Sequence, residues 1–432
     1  MRRVAASRIW RFLSVAPYAS LAFTLLACGR HPIAPEDAGG NGGSGEGGYA
    51  GVAGSGADGG GLGSTGASGY GGSDAGSDGG LTPYHALAVV TGLLHTCALL
   101  DDHNVKCWGE NGYGQLGYGD ARQRGGAPAD MGDALPMVDL GTGHKAVKIA
   151  AGHYVTCAIL EDSTLKCWGW AQLNGQPSKG DIGDQPGEMG DNLPPLSFGG
   201  RKVLNVAIGY LAACASLDDG TIWCWANSSA GIPQMVADLP STSVKALSAV
   251  GNDVVALYED GTVSHELPGG PFSDPGAGSN HRVLAISGTV GPTCEVLDDG
   301  TIACFVSGSK KTIVATVAAT SVGVEYLSTI CALFADGSVR CPPDLPDGQN
   351  CSPEAAYWCD PNGTIALGQG ATAITNNGQD FTCALLADGG IKCWNFGGEV
   401  PAWLGSGVSL LSGTLHAVEY SPWNEVDLGS HR

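Results

Sequence analysis

Six segments of this chain begin and end in cysteine at a fixed interval of ten positions: CALLDDHNVKC from Cys97, CAILEDSTLKC from Cys157, CASLDDGTIWC from Cys214, CEVLDDGTIAC from Cys294, CALFADGSVRC from Cys331 and CALLADGGIKC from Cys383. A seventh copy, VALYEDGTVSH, starts at Val255 and has lost both cysteines together, with Val255 and His265 in their places. Joint loss is the behaviour of a bonded pair, not of two independent thiols. Recurrence of this kind restricts the fold to an array of like units, each burying its apolar faces against its neighbours.

The interval itself specifies a hairpin. With Asp218-Asp219-Gly220 as a three-residue loop and Gly220 left-handed, Leu217 faces Thr221, Ser216 faces Ile222 and Cys214 faces Cys224. Opposed residues on antiparallel strands bring their Cα atoms to about 4.5–5.5 Å, a gap that a disulfide spans. The register predicts the pairs Cys97–Cys107, Cys157–Cys167, Cys214–Cys224, Cys294–Cys304, Cys331–Cys341 and Cys383–Cys393. It leaves Cys351 with Cys359 as a local loop pair, and Cys28 over. Such bridges require an oxidising compartment. Thiolate metal sites are the competing reading, but no Cys-x-x-Cys pair occurs, and thiols ten apart on one hairpin are poorly placed around a tetrahedral ion. No metal or cofactor is expected. In the first two copies the glycine place of the turn holds His103 and Ser163, which must then adopt positive φ. Cys97, Leu99, Val105 and Cys107 share one face, and Ala98 and Leu100 are apolar on the other, so each hairpin reads as covered on both sides.

Residues 84–120 read YHALAVVTGLLHTCALLDDHNVKCWGENGYGQLGYGD. This resembles the regulator-of-chromosome-condensation repeat through Gly92, His95-Thr96, Ala98-Leu99, Trp108-Gly109, Asn111 and Gly114-Gln115-Leu116-Gly117. The second copy keeps Gly152, Thr156-Cys157-Ala158, Trp168-Gly169 and Gly175-Gln176. Later copies keep the hairpin, with Trp225, Phe305 and Trp394 in the aromatic place. The resemblance runs from residue 85 to about 420 and is weakest between 230 and 330. It implies an all-β fold, a seven-bladed β-propeller with three or four short antiparallel strands per unit. An alternating strand is expected before each hairpin, as in Val147/Ile149, Leu204/Val206 and Leu284/Ile286, and a trailing strand in places, as in Leu135-Pro136-Met137-Val138. The tail VSLLSGTLHAVEY from Val408 (408–420), with Val418 in the cysteine place, either closes the ring or begins an eighth blade.

The start of the chain has the layout of an export signal over residues 1–27: Arg2, Arg3, Arg8 and Arg11, then an apolar run from Val15 to Ala27 ending Leu25-Leu26-Ala27-Cys28. Cys28 resembles a lipoprotein junction, where the thiol is acylated, and Gly29 after it favours the outer membrane. An ordinary exported protein with Cys28 as a leftover thiol is the plainer reading. Residues 28–81 are rich in Gly, Ser and Asp and too poor in apolar groups to repay ordering, so they are expected to form a disordered tether. The propeller then spans 82–432. Removing residues 1–27 deletes four arginines and no acid, taking the formal charge from −21 to −25. So acidic a surface repels phosphate backbones, which argues against nucleic acid as a partner. Contact with the membrane is expected through the N-terminal lipid only, and the propeller is expected to be a monomer.

Several motifs have plain structural explanations. Gly112-Tyr113-Gly114-Gln115-Leu116-Gly117 matches the dinucleotide pattern but lies between strands without the following helix that pattern needs. His95, His153 and His416 recur near equivalent positions, which suggests a repeated structural hydrogen bond. The Asp-Gly pairs are turn residues and lack the alternating oxygens of a calcium loop. No nucleophile motif is present. The long insertions carry more functional weight: Met131-Gly132-Asp133-Ala134-Leu135-Pro136 and Met189-Gly190-Asp191-Asn192-Leu193-Pro194 are near copies. With Tyr113, Tyr118, Trp170 and the 342–367 insertion containing Tyr357 and Trp358, Asp133 and Asp191 could build one aromatic and acidic ligand face. The expected function is a non-enzymatic, envelope-displayed binding or scaffold protein offering that face to a protein or glycan. The alternatives are an enzyme acting on envelope polymers through loop acids, and a structural surface component without a discrete ligand. Guanine-nucleotide exchange, which the resemblance would allow, does not suit an exported chain.

Overall fold

The structure, a computed structural model, describes residues 82–431 apart from 227–230, 237–243, 251–252, 268–269, 272–280, 289–292, 307–308, 314–317, 325–329, 342–363, 366, 377–380, 396–423, 427 and 429. Cys28, Cys351, Cys359, Tyr357, Trp358, His416 and the 408–420 tail lie outside the described residues.

Alternating apolar residues and Asp-Gly turns produce seven small antiparallel sheets in chain order, each built around one cysteine-spaced hairpin. Their innermost strands are Ala86–Thr91, Ala146–Gly152, Val203–Ile208, Val244–Val250, Val283–Gly288, Ala319–Val324 and Ala371–Asn376. Each lies beside the innermost strand of the next sheet, and the seventh lies beside the first. The chain is a seven-bladed β-propeller. Blades 3 to 7 have four strands, while blades 1 and 2 have three, with single bridges Gly109–Arg124 and Gly169–Ile182 at the outer edge.

The turn residue with positive φ does more than reverse the chain. His103 (φ 64°), Ser163 (φ 65°), Gly261, Gly337 and Gly389 all occupy this place. Their carbonyls accept the N–H that opens the next blade: Ala146 to His103 (3.0 Å), Val203 to Ser163 (2.9 Å), Val283 to Gly261 (3.0 Å), Ala371 to Gly337 (2.8 Å) and Ala86 to Gly389 (2.9 Å). The last of these joins blade 7 to blade 1 and closes the ring.

Six disulfides staple the hairpins at Cα separations of 4.0–4.2 Å, each between residues ten apart, and in five of them the two cysteines are directly paired in the strand register. In blade 4 the same register pairs Val255 with His265. Each hairpin packs on both faces. Cys97, Leu99, Val105 and Cys107 meet Leu160 and Trp168 of blade 2, whereas Ala98, Leu100 and Trp108 meet Leu385 and Ile391 of blade 7.

The Gly-Gln-Leu-Gly tail straps blade 1 to blade 2. The Gln115 carbonyl accepts from Thr156 Oγ1 (2.9 Å) and from Trp168 Nε1 (3.0 Å). Gly117, at φ 75°, lies so close that an added Cβ would come within 2.7 Å of Trp168 Nε1. Repeat 2 makes the corresponding strap, Trp225 Nε1 to the Leu173 carbonyl at 2.7 Å.

Two expectations about strands need correction. Every described innermost strand except its first residue is shifted by a bulge in its pairing, as between Ala146 and Lys148 or Val203 and Asn205. The extra residue turns outward, so Val147, Leu204 and Leu284 are exposed and do not share a face with Ile149, Val206 and Ile286. Leu135–Val138 is not a strand. It follows a single 3-10 turn, Gly132–Ala134, and makes one backbone bond to the blade, from Val138 N–H to the Val105 carbonyl at 2.8 Å.

The ring is also closed by the C-terminal segment. Asn424–Glu425 is the outer strand of blade 7, and Ser430–His431 pairs with Thr82–Pro83. Between them Val426 and Leu428 are buried beside Leu100 and Trp108, and the Leu428 carbonyl accepts from Lys106 Nζ at 2.8 Å.

His95 sits in the blade 1–blade 2 seam with its ring over Gly92, where no side chain would fit. Thr156 gives its one hydroxyl hydrogen to Gln115, so His95 Nε2 donates to Thr156 Oγ1 at 2.9 Å and the ring is neutral. Burial, with nearby His153 adding to it, pushes its pKa down to about 3. The unfolded chain takes up this proton near pH 6.5 and the folded one resists it, so the stabilisation is full above pH 6.5 and is lost as pH falls toward 3. Down to pH 4 the loss amounts to about 3 kcal/mol. Urea unfolding free energies should therefore decline between pH 6.5 and 4, and His95→Gln should flatten that decline. An unchanged slope in the variant would assign it to other groups.

Candidate functional site

The hairpin turns lie at one end of the blades. The loops that leave the innermost strand, and those that leave the third strand, lie at the other. Between them runs a central cavity of about 310 Å³ lined by all seven blades, with Thr91, Ser248, Ser287 and Asn376 among its polar residues. At the loop end it opens beside His153 and Tyr210.

Here the repeat brings together side chains far apart in sequence. Glu110 and Trp170 hold the same place in blades 1 and 2: each follows the glycine that ends the third strand, and each donates its N–H to the neighbouring loop, Glu110 to Leu94 (2.8 Å) and Trp170 to Tyr154 (3.0 Å). His153 and Tyr210 likewise follow the innermost strands of blades 2 and 3. The rings form a continuous group. Tyr113 lies 4.7 Å from Tyr154 and 6.2 Å from Trp170 between centroids. His153 lies 4.3 Å from Tyr154, 5.0 Å from Trp170 and 4.4 Å from Tyr210. Tyr210 is 38% exposed, and Tyr113, Tyr154 and Trp170 are half-buried, so ring surface faces solvent beside the cavity mouth.

Burial lowers the His153 pKa to about 4, so the ring is neutral at ordinary pH. Burial also raises the Glu110 carboxyl, and burial together with that carboxylate raises the Tyr154 phenol. Glu110 Oε2 accepts one long contact, from Gln115 Nε2 at 3.5 Å. The site is thus a set of aromatic faces with a half-buried acid that acts on one of them, Tyr154.

Of the residues proposed for a ligand face, the structure brings Tyr113 and Trp170 together. Tyr118 is elsewhere, wedged between blades 1 and 2. Its hydroxyl accepts from Cys107 N–H and donates to the Cys107 carbonyl, both at 2.9 Å, and Arg124 covers its ring at 4.4 Å. Asp133 and Asp191 belong to the hairpin-turn end. Asp133 acts on Tyr84 together with Asp101 and Asp102, and its Oδ1 accepts from Ser430 N–H at 2.7 Å. Asp191 accepts from the N–H and hydroxyl of Thr142 at 2.7 and 2.8 Å. The two Met-Gly-Asp copies are latches: the Gly132 and Gly190 carbonyls hold the buried Lys106 and Lys166 ammonium groups at 2.8 and 2.9 Å. His153 is not the counterpart of His95, since it lies two places earlier in its repeat. Tyr154, Tyr210 and Glu110 were missed, and His153 was read only as a structural hydrogen-bonding residue. The signal for His153 and Tyr210 was their position directly after Gly152 and Gly209, where the innermost strand ends, with Tyr154 one place further on.

At the opposite end the turn aspartates are spoken for. Asp162, Asp219, Asp260, Asp299 and Asp336 each accept from the N–H and the hydroxyl of the Thr or Ser two residues on, which holds their carboxyls below the usual range.

Two family models described as the regulator of chromosome condensation (RCC1) repeat match residues 86–115 and 102–159. Among curated proteins, the chain is 26% identical over 191 residues to the ultraviolet-B receptor UVR8 of Arabidopsis thaliana, covering 41% of this chain and 40% of that one. It is 29% identical over 150 residues to the E3 ubiquitin-protein ligase HERC2 of Homo sapiens, covering 34% of this chain and 3% of the ligase. It is 25% identical over 203 residues to Protein RCC1 of Candida albicans, covering 44% and 43%. The chain thus spans less than half the length of these relatives. Among solved structures it is similar to Prp20p of Saccharomyces cerevisiae (16% identity, 74% of each chain, TM-score 0.42) and to the CRINKLY WD40 ectodomain of the Arabidopsis thaliana receptor kinase ACR4 (17% identity, 73% of this chain and 96% of that one, TM-score 0.46).

Proposed function

We propose that this chain, whose residues 86–159 match the regulator-of-chromosome-condensation repeat, is a non-enzymatic binding module displayed on the cell envelope. A binding or scaffold role is the one the propeller fold supports in general. The observation that carries the specific reading is the aromatic group of Tyr113, Tyr154, Trp170 and Tyr210, gathered from three blades at the mouth of the cavity. Aromatic side chains with polar tips give large contact area at low conformational cost, which is why they dominate recognition surfaces. The ligand in this reading is an envelope protein or glycan. Acylation at Cys28 would anchor the chain, in the outer membrane on this proposal, and the glycine-rich stretch would give it reach. Six disulfides suit a module working outside the reducing cytoplasm.

Fractionation and retention test this together. The full chain should partition with the envelope, Cys28→Ala should release it, and envelope material retained by the wild type should be lost from a Tyr113→Ala/Trp170→Ala double variant. His144→Ala, at the hairpin-turn end, should retain it. Equal retention by the aromatic double variant would remove this face from the function.

A further inference from the structure

We infer that Glu110, Tyr113, Tyr154 and Trp170 form a receptor site for an organic cation, an alkylammonium or guanidinium group. This rests on the reading that the aromatic face binds, and adds the class of ligand.

Glu110 is half-buried, and among the described residues its carboxylate accepts from one neutral amide, Gln115 Nε2, at 3.5 Å. Burial alone raises its pKa, with no basic side chain contributing. A carboxylate removed from water without a counter-charge is costly, so the arrangement favours an incoming positive charge. The rings supply the second half of the site. Their faces carry negative quadrupole and attract a cation within about 6 Å of a centroid, and Tyr154 and Trp170 stand 4.7 and 6.2 Å from Tyr113.

The chain uses this chemistry internally: Arg124 lies over Tyr118 at 4.4 Å and Lys106 over Tyr84 at 5.2 Å. At the aromatic face the acid and rings are in place, and the cation would come from outside. The formal charge of −21 draws such groups toward the surface. A neutral sugar could stack on the rings but would leave the carboxylate uncompensated, whereas a cation satisfies both. The source is either a lysine or arginine side chain on a protein or a choline-type quaternary ammonium, and separate probes distinguish them.

Calorimetric titration of the full chain tests the assignment with tetramethylammonium, choline, Nα-acetyl-lysine methylamide and Nα-acetyl-arginine methylamide. 3,3-Dimethylbutanol serves as the neutral analogue of choline. At least one cation should bind about tenfold more tightly than the neutral analogue. Glu110→Gln should weaken it about tenfold with the urea midpoint unchanged, and Trp170→Ala should abolish it. Preference for choline points to a quaternary ammonium source, and preference for the amino-acid amides points to a protein partner. Equal affinity for the neutral analogue, indifference to Glu110→Gln, or no binding by any cation overturns the inference. If envelope retention still depends on Tyr113 and Trp170 in that case, the binding face stands and only its ligand class has failed.

Discussion

Reducing the six hairpin disulfides at neutral pH should unfold the propeller, whereas removing any one of them should lower its melting temperature and leave the fold intact. Each bridge closes a short loop between residues ten apart, and for a loop of that size the chain-entropy contribution is about 3 kcal/mol. Six such contributions come to roughly 18 kcal/mol, as large as the whole stability of a typical domain. Blade 4 shows that one hairpin can do without its staple: Val255 is fully buried at a cysteine place and faces His265 across the strands. Neighbouring blades hold it. A Cys157→Ala/Cys167→Ala variant puts blade 2 in the same condition and should shift urea unfolding by about 3 kcal/mol. Titration with a phosphine reductant, followed by near-ultraviolet circular dichroism, should instead show loss of tertiary signal as the bridges open. A fully reduced chain that kept the oxidised urea midpoint would mean that the cores between blades, not the staples, carry the fold.

The hairpins were legible because their physics is local. A ten-residue interval, an Asp-Gly turn and joint loss of both cysteines determine a register without any distant contact, and the predicted pairing of Cys214 with Cys224 and of Ser216 with Ile222 is the observed one. Positive φ at His103 and Ser163 was legible for the same reason. What sequence did not reveal depends on where repeats stand around the ring. Val147 reads as a core residue by alternation, and only the bulge that is repeated from blade to blade turns it outward. Tyr118 reads as a surface aromatic, yet both hydrogen-bonding capacities of its hydroxyl are used by the Cys107 backbone. Asp133 and Asp191 follow long loops and so suggested a ligand surface, but their partners are Ser430 and Thr142, chosen by closure of the ring and by the link between blades. Tyr113 and Trp170 were legible as ligand-face candidates, but the convergence of His153, Tyr154 and Tyr210 on them was not, because these side chains come from three units and no periodicity within one unit announces that they meet.

Ending the chain at residue 423 should destabilise it more than loss of any single disulfide. The segment beyond that point supplies the outer strand of blade 7, Asn424–Glu425, and the strand Ser430–His431 that pairs with Thr82–Pro83. It also buries Val426 and Leu428, 5% and 4% exposed, against Leu100, Trp108 and Leu135. Loss of those two side chains forfeits about 3–6 kcal/mol of apolar burial. The buried Lys106 ammonium would keep the Gly132 carbonyl but lose that of Leu428, a further 1.5–3 kcal/mol or so for a charged hydrogen bond. The point variant Leu428→Ala should cost less, about 2–4 kcal/mol, because the strand pairing survives. In an open solenoid, trimming one end exposes one unit and leaves the rest nearly unaffected. A closed ring behaves differently, since the last segment covers the first blade, and the seam would be left with the bond from Ala86 N–H to the Gly389 carbonyl, the Thr91–Thr375 hydroxyl bond and the packing of Leu100 against Leu385 and Ile391. Hydrogen exchange in the truncated chain should therefore accelerate in blades 1 and 7 before blades 2 to 6. Uniform exchange with an unchanged urea midpoint would show that the seam is no weaker than any other junction.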